Sequence, residues 1–377
     1  MLSATRITLL LALGFGSALI GCGGGSGPTP PCTNCTPTSS DFVYEANADQ
    51  VSIFQVDSTS GVVQSTPSPA SSAQIPGGII ATSNNFLYVT EAAGSGGVVF
   101  GYSVSTSTGA LTALTGSPFN TGVAQPAGGM AVDPAGKFLY ITEPNTNQVA
   151  AFTIGSNGAL TAITGSPFTT NDIRPTAAVV DSSGKFLYVS NTASSLGTIS
   201  AFSINSSTGA LAPVVGSPFT TLVNGAPGFL SVDPKGSHLY APMSGVSSIV
   251  GFDFDSSGIL TPIVGSPFTA GSAPSSVVVD PSGKFLFSAN FNSNDVSAFT
   301  INSSDGSLTP IAGSPFAASN NPFQVAINSS SSLLFVNCAT STSILTFTID
   351  SSGALTPVAP LNGGATAGGL AVVHKSP

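Results

Sequence analysis

Residues 274–316 read PSSVVVDPSGKFLFSANFNSNDVSAFTINSSDGSLTPIAGSPF, a stretch of short apolar segments separated by turns. The turn sequences are DPSG at 280–283 and SSDG at 303–306, in which proline presets φ and glycine accepts a positive φ. The segment VSAFTIN alternates apolar and polar residues, as a half-buried strand does. The stretch therefore predicts four consecutive antiparallel β-strands, which we call A to D.

The same pattern occurs seven times along the chain. The apolar triplets of strand B begin at residues 42, 86, 138, 186, 238, 285 and 333. A repeat of about 48 residues without helical periodicity is typical of the four-stranded blade of a β-propeller. The tail Gly-Ser-Pro-Phe recurs at 116–119, 165–168, 216–219, 265–268 and 313–316. We expect its proline to end the outer strand and its phenylalanine to fill the gap between blades.

The two ends of the repeat array complement each other. The first copy starts at strand B with Phe42, whereas residues 367–373 (AGGLAVV) match strand A of other copies, such as AGGMAV at 127–132. Pairing this C-terminal strand with the N-terminal blade would close the ring and leave no open sheet edge. The sequence therefore predicts one all-β domain over residues 41–377, a seven-bladed β-propeller of four-stranded antiparallel blades. A linear array of β-sandwiches is the alternative, and it would not need this complementation.

The N-terminus carries a targeting signal. Arg6 precedes an apolar run, and the segment ends in Leu-Ile-Gly-Cys at residues 19–22, which resembles the lipobox of bacterial lipoproteins. We predict a signal peptide over 1–21, lipidation of Cys22 and a Gly/Pro/Ser/Thr-rich tether over 22–40. A transmembrane anchor is the alternative, but glycines interrupt a run already short of a bilayer's thickness. The predicted location is the bacterial cell envelope, membrane-attached through the lipid, in the periplasm or at the outer membrane or cell surface.

Cysteine usage and charge limit the chemistry further. Cys32 and Cys35 form a CxxC pair that is compatible with redox chemistry, half a zinc site or a local disulfide. An extracytoplasmic location favours the disulfide and leaves Cys338 as a lone thiol. The net charge is −9, and the lysines and arginines are scattered singly. Because nucleic-acid binding needs a basic stripe, we expect no nucleic-acid partner.

The predicted disc has two different faces. The A–B and C–D turns lie on what we call the repetitive face, and the B–C and D–A loops lie on the variable face. On the variable face, the last residue of strand B differs between blades, as does the residue before strand A. The first set is Asn47, Glu91, Glu143, Asn191, Met243, Asn290 and Cys338, and the second is Ile75, Gln125, Arg174, Ala226, Ala273, Asn321 and Thr366. In a chain so poor in charge, a polar ligand is expected there.

Three residues are the candidate catalytic groups of this face. Glu91 and Glu143 would form a carboxylate pair, and Arg174 would orient an anionic or carbonyl-bearing ligand. Further candidate ligand contacts are Gln125, Asn191 and Asn290. A variant of this hypothesis makes the glutamates and asparagines, with Asn47, oxygen ligands for Ca²⁺; otherwise no metal or cofactor is predicted.

The simplest alternative is that these groups only solvate loops and that Glu143 and Arg174 form a weak surface ion pair. His238 lies in a repeated turn and His374 lies near the C-terminus. Neither is expected to belong to a Ser-His-Asp arrangement.

Units such as DPSGKFLFSAN followed by VSAFTINSSDGSLTPIAGSPF resemble the seven-bladed β-propeller lactonase family and its YVTN-type relatives. That family includes 6-phosphogluconolactonase-like and carboxymuconate-cyclase-like proteins, and the resemblance covers about residues 41–374. It implies acid–base opening or closing of a lactone by His, Arg and acidic side chains on one face. Here only Glu91, Glu143 and Arg174 match such roles. The Pro-His pairs expected before strand A are replaced by Pro-Thr at 175–176 and Pro-Ser at 274–275.

Two hypotheses for function follow. The missing histidine favours a binding protein that uses the variable face to hold a glycan, a cell-wall fragment or a partner protein. The family resemblance favours a lactone hydrolase or cycloisomerase that acts on a sugar-acid or muconate-type lactone. In that case a glutamate must be the acid–base group, and it needs a raised pKa to work near neutrality.

Overall fold

The structure is a computed structural model that describes residues 39–47, 50–67, 69–71, 76–91, 97–122, 128–192, 196–236, 238–319, 321–341, 343–362 and 367–375. Five predictions lie outside these residues: the signal peptide, lipidation of Cys22, the tether as far as residue 38, the Cys32–Cys35 disulfide and the ligand contact Gln125. The variable-face positions Ile75 and Thr366 lie outside them too. Within the described ranges, no helix is long and apolar enough to span a bilayer.

The described strands form seven separate antiparallel sheets, each ordered A-B-C-D. Blade 1 contains β1 (Ser40–Asn47), β2 (Gln50–Asp57), β3 (Val63–Ser65) and β4 (Ala70–Ser71), and blade 2 contains β5 (Pro76–Ala81), β6 (Phe86–Glu91), β7 (Val98–Val104), β8 (Leu111–Ala113) and β9 (Phe119–Asn120). Blade 3 contains β10 (Met130–Val132), β11 (Phe138–Glu143), β12 (Gln148–Ile154), β13 (Leu160–Ala162) and β14 (Phe168–Thr169). Blade 4 contains β15 (Pro175–Val180), β16 (Phe186–Asn191), β17 (Leu196–Ile204), β18 (Leu211–Pro213) and β19 (Phe219–Asn224).

Blades 5 to 7 continue the same order. Blade 5 contains β20 (Ser231–Val232), β21 (His238–Met243), β22 (Ser248–Phe254), β23 (Leu260–Pro262) and β24 (Phe268–Thr269). Blade 6 contains β25 (Pro274–Val279), β26 (Phe285–Asn290), β27 (Asp295–Ile301), β28 (Leu308–Pro310) and β29 (Phe316–Ala317). Blade 7 contains β30 (Pro322–Ile327), β31 (Leu333–Cys338), β32 (Ser343–Ile349) and β33 (Leu355–Asn362). The last strand, β34 (Ala367–Lys375), pairs antiparallel with β1 and is strand A of blade 1. The predicted seven-bladed ring and its C-terminal closure are confirmed.

The outer strand D differs from the prediction, because the proline of Gly-Ser-Pro-Phe does not end it. In blade 3, β13 and β14 both pair with β12, and a bend between them contains the cis Ser166–Pro167 peptide. The Ser166 hydroxyl accepts the Ala151 N–H at 2.8 Å, which replaces the ladder hydrogen bond lost at the bend. Four other blades repeat this contact through Ser117, Ser217, Ser266 and Ser314.

Adjacent blades are joined by a shared apolar core. One core cluster combines Tyr88 and Val99 of blade 2 with Leu139 and Phe152 of blade 3, and Phe119 of the Gly-Ser-Pro-Phe tail packs against it. The tail phenylalanine therefore lies between blades, as predicted. A polar contact also crosses each of five interfaces, where a strand-B tyrosine hydroxyl donates to a glycine carbonyl of the next blade. These pairs are Tyr44–Gly109, Tyr88–Gly158, Tyr140–Gly209, Tyr188–Gly258 and Tyr240–Gly306.

Candidate functional site

The ends of the B strands carry a repeated polar contact. In blades 1, 4 and 6, strand B ends in a buried asparagine whose side-chain amide donates to a serine on strand C. The pairs are Asn47–Ser52 at 2.9 Å, Asn191–Ser200 at 2.9 Å and Asn290–Ser297 at 2.8 Å. In each case the serine lies opposite the residue two positions before the asparagine. The contact therefore gives the buried asparagine NH2 group an acceptor at the equivalent position of three blades.

Blade 3 breaks this rule at both positions. Strand B ends in Glu143 instead of asparagine, and Ala150 takes the place of the serine, opposite Ile141. Glu143 is 0% exposed. Neither of its carboxyl oxygens makes a hydrogen bond of normal geometry to any described residue. Blade 3 therefore buries an ionisable group without the strand-C serine that blades 1, 4 and 6 provide at this position.

Burial changes the protonation of this group. Desolvation raises the pKa of Glu143 from 4.5 to about 8, and a side-chain interaction with Thr121 offsets only part of this increase. A carboxyl group with that pKa is mostly protonated at neutral pH, so it can donate a proton. Glu143 thus has the raised pKa that a glutamate needs for acid–base catalysis near neutrality.

Arg174 lies on the loop that precedes strand A of blade 4, and its side chain is exposed. Its backbone is in the left-handed region with φ 56°. The backbone N–H donates to Asn147 Oδ1 at 2.9 Å, and the carbonyl accepts the Thr192 N–H at 3.1 Å. Since Asn147 lies in the B–C turn that follows Glu143, Arg174 is anchored to blade 3, the blade that carries the buried acid.

The structure does not join the three candidate catalytic groups directly. Its ion pairs, among the residues it describes, are His238–Asp253 and His374–Asp41, so the weak surface ion pair expected between Glu143 and Arg174 is wrong. The physical reason is that Glu143 is enclosed within the sheet stack while Arg174 is exposed on a loop. Glu91 is half-buried at the equivalent strand-B end of blade 2.

Asn191 and Asn290 are fully buried. Asn191 donates to Thr198 at 3.1 Å in addition to Ser200, and Asn290 donates to Asp295 at 2.6 Å in addition to Ser297. Their amide groups thus connect strands B and C of their own blades. Their predicted contact with a ligand, including Ca²⁺, stays a prediction. No group of three or more His, Cys, Asp or Glu side chains suited to a metal ion occurs in the part of the chain that the structure describes.

Two concave regions lie near these residues. A cleft of about 430 Å³ beside Arg174 is lined by Thr146 and Asn147 of the blade 3 turn and by residues 169 and 171–173 of the following loop. The central channel, lined by A strands, holds only about 50 Å³. There Phe229 and Phe323 meet edge-to-face, with ring centroids 5.6 Å apart. None of the described residues that line the channel is ionisable, so an acid–base group on this face has to lie outside the channel.

Sequence reasoning missed the partners of both histidines. His374 Nδ1 lies 2.7 Å from Asp41 Oδ1, and His238 Nδ1 lies 2.6 Å from Asp253 Oδ1. Asp41 is fully buried and also accepts the Asn328 side-chain amide at 2.8 Å. These contacts lie toward the repetitive face, and the first of them fastens the ring seam between β34 and β1.

A signal for the uncompensated acid was present in the sequence. Strand C reads VSIF, ISAF and VSAF in blades 1, 4 and 6, whereas blade 3 reads VAAF at 149–152. Reading strands B and C of each blade together would have shown that Glu143 lacks the serine.

Fold and site together define a seven-bladed β-propeller whose variable face combines one buried, protonated acid with an exposed arginine. The profile described as "Lactonase, 7-bladed beta-propeller" matches residues 117–223, 217–314 and 268–366. The chain belongs to this lactonase family. No curated protein matches the sequence.

Solved structures share the same fold. The periplasmic gluconolactonase PpgL of Pseudomonas aeruginosa is 15% identical with a TM-score of 0.76, covering 89% of this chain and 99% of that chain. A protein from Bacteroides fragilis, described as a candidate 6-phosphogluconolactonase, is 19% identical with a TM-score of 0.73, covering 90% and 99%. A similarly described protein from Bacteroides uniformis is 16% identical with a TM-score of 0.74, covering 89% and 99%. At these identities the comparison shows the fold.

Proposed function

We propose that this chain hydrolyses a lactone at the rim of its variable face, with Glu143 as the proton donor and Arg174 as the ligand contact. The observation that carries the proposal is the buried carboxyl group of blade 3, which stands where three other blades hold an asparagine whose amide donates to a strand-C serine. A fold gains no stability from such a group, and ionisable groups kept in an unfavourable environment are concentrated at functional sites. Membership of the lactonase family supports the reaction class.

The chemistry needs one acid and one polar contact. Water adds to the lactone carbonyl carbon, the ring carbon–oxygen bond breaks, and the proton of Glu143 passes to the departing ring oxygen. The proton lost by the attacking water returns to Glu143, so lactone and water give one hydroxy acid and the enzyme is regenerated. The Arg174 guanidinium binds the carbonyl oxygen or an acidic substituent of the substrate.

The enclosure of Glu143 sets a requirement on this mechanism. Both carboxyl oxygens are out of contact with solvent, so the residues around them must open locally before proton transfer. Catalytic groups often reach hydrogen-bond distance only in the substrate complex, and loop movement commonly provides that access. Until then, the dry environment keeps the carboxyl protonated.

The names of the structural relatives suggest the substrate class. They are a gluconolactonase and candidate 6-phosphogluconolactonases, so we propose a sugar-acid lactone as the first substrate to test, followed by muconate-type lactones. We also propose that the reaction takes place in the cell envelope, with the protein anchored through a lipidated Cys22. The lipobox-like sequence at 19–22 supports this location.

Turnover of a lactone panel tests the proposal. Acid release by the purified full-length chain should be detectable for at least one lactone, and Glu143→Gln should lower kcat/KM by about 100-fold or more, the usual contribution of general acid catalysis. Because the protonated form is active, kcat/KM should fall as pH rises through about 8. Lys185→Ala, on the repetitive face, is the matched control and should retain full activity. Absence of turnover on every lactone, or equal turnover by Glu143→Gln, would reject the proposal.

A binding protein is the second candidate. Neither His238 nor His374 lies at the variable face, and none of the described residues that line the central channel is ionisable, which suits ligand binding without acid–base chemistry. Saturable binding of a glycan or cell-wall fragment that is lost in Arg174→Ala and kept in Glu143→Gln, with no lactone turned over, would favour this candidate.

A further inference from the structure

The turn residue Asn147 makes several contacts with the loop that carries Arg174. Its side-chain oxygen accepts the Arg174 N–H at 2.9 Å. Its backbone carbonyl accepts the Thr170 N–H at 3.0 Å and the Thr170 hydroxyl at 3.1 Å. One residue of blade 3 therefore holds both ends of the loop from Thr170 to Arg174. We call the bond between Asn147 Oδ1 and the Arg174 N–H the Asn147 latch.

The latch supports a backbone conformation of Arg174 that is unfavourable for a residue with a Cβ. Its φ of 56° lies in the left-handed region, and the residue before a proline is normally extended. Asn147 itself has φ 59°, a conformation that asparagine tolerates better than most residues. The latch on the Arg174 N–H and the Thr192 N–H on its carbonyl hold the arginine on both sides.

Other blades show that the latch is optional for the fold. Blade 6 repeats it, since Asn294 has φ 58° and accepts the Asn321 N–H at 2.8 Å. Blade 5 keeps the backbone shape without it. There Ser247 has φ 50° and Ala273 has φ 53°, and within the described residues no side chain accepts the Ala273 N–H. The loop conformation thus forms without a latch where the loop residue is alanine.

We propose that Asn147 is the positioning residue for Arg174, fixing the backbone from which the guanidinium reaches the ligand. This inference rests on the proposed function, because it assigns Asn147 a role through a ligand-binding Arg174. The latch binds the Arg174 main chain, so it restricts the position of the Arg174 Cα atom. The guanidinium group stays free to contact a ligand. Pre-ordering of this kind lowers the entropy lost on binding.

The kinetic test compares two equivalent asparagines. Asn147→Ala should raise KM about tenfold with little change in kcat, as expected when ground-state binding is lost. Asn294→Ala removes the same hydrogen bond and places alanine at the same φ in blade 6, so it should lose the same stability and leave KM unchanged. Asn147→Asp keeps an acceptor oxygen and should restore most of the affinity. Asn147→Ala should have no further effect in an Arg174→Ala background.

A second measurement does not depend on turnover. The chain contains only two arginines, Arg6 and Arg174, so ¹⁵N-arginine labelling gives an easily assigned amide signal for Arg174. Asn147→Ala should speed hydrogen exchange of that amide about tenfold or more, whereas Asn294→Ala should not change it.

The kinetic and hydrogen-exchange measurements distinguish the positioning role of Asn147 from the proposed lactone hydrolysis. Faster exchange in Asn147→Ala with no lactone turned over by the wild type would leave the positioning role in place and reject the proposed activity. Unchanged exchange, or turnover whose KM is the same in Asn147→Ala as in the wild type, would overturn the positioning role.

Discussion

Replacing Glu143 with glutamine should remove a pH-dependent loss of stability that the wild-type chain carries. The native carboxyl is fully buried and lacks a hydrogen bond of normal geometry, and its pKa is about 8, compared with an ordinary value of 4.5. Between these two pH values the native state binds a proton that the unfolded state has released. Stability is therefore complete below about pH 4.5 and decreases as pH rises toward 8.

The size of the effect follows from the two pKa values. Each unit of difference corresponds to about 1.4 kcal/mol, and at pH 7 the unfolded carboxyl is 2.5 units above its pKa of 4.5 while the native one is still mostly protonated. Glu143 should thus lower the free energy of unfolding by about 3 kcal/mol between pH 4.5 and pH 7. Glutamine cannot ionise, so this contribution is absent from the variant.

Urea unfolding of both proteins at pH 4.5, 6, 7 and 8 measures this difference. The wild-type free energy of unfolding should fall relative to that of Glu143→Gln by about 3 kcal/mol by pH 7, with the slopes in urea unchanged. Ala150→Ser provides a second check, because it adds the hydroxyl that blades 1, 4 and 6 offer at this position and should reduce the pH dependence. Parallel curves for wild type and Glu143→Gln would refute the reasoning.

Other predictions concern the rest of the ring. Tyr140→Phe removes the hydroxyl that donates to the Gly209 carbonyl at 2.9 Å and should cost about 1 kcal/mol in urea unfolding. Asp41→Ala removes the buried partner of His374 at the seam and should cost about 3 kcal/mol, measured in the same way. Burial raises the pKa of the Cys338 thiol to about 11, so a colorimetric thiol reagent at pH 8 should react with Cys338 only after unfolding.

The architecture was predictable because its signals are local and repeated. Seven strand-B triplets gave the number of blades, and the AGGLAVV segment at 367–373 gave the closing strand, since each depends on residues close together in the sequence. Repeat alignment also located Glu143 and Arg174 on the variable face. The division of the outer strand into two parts was not predicted. The serine hydroxyl reaches the strand-C N–H only in the bent conformation, and the residue types of the tail do not indicate that bend.

Contacts between distant parts of the chain could not be predicted. Asp41 and His374 meet only because ring closure brings the two termini together. The Asn147 latch depends on a left-handed conformation at Arg174, which nothing in the residue type suggests. The protonation of Glu143 depends on the absence of a strand-C hydroxyl group at Ala150. This absence can be recognised only when the register of β11 and β12 is known.

NMR of ¹³C-labelled glutamate tests whether blade 3 holds a carboxyl group that stays protonated at neutral pH. The chain has only three glutamates, Glu45, Glu91 and Glu143, so each side-chain carboxyl signal can be followed separately, and Glu143→Gln assigns the one that disappears. We expect the Glu143 signal to titrate with a midpoint of about 8. A midpoint near the ordinary value of 4.5 would contradict it.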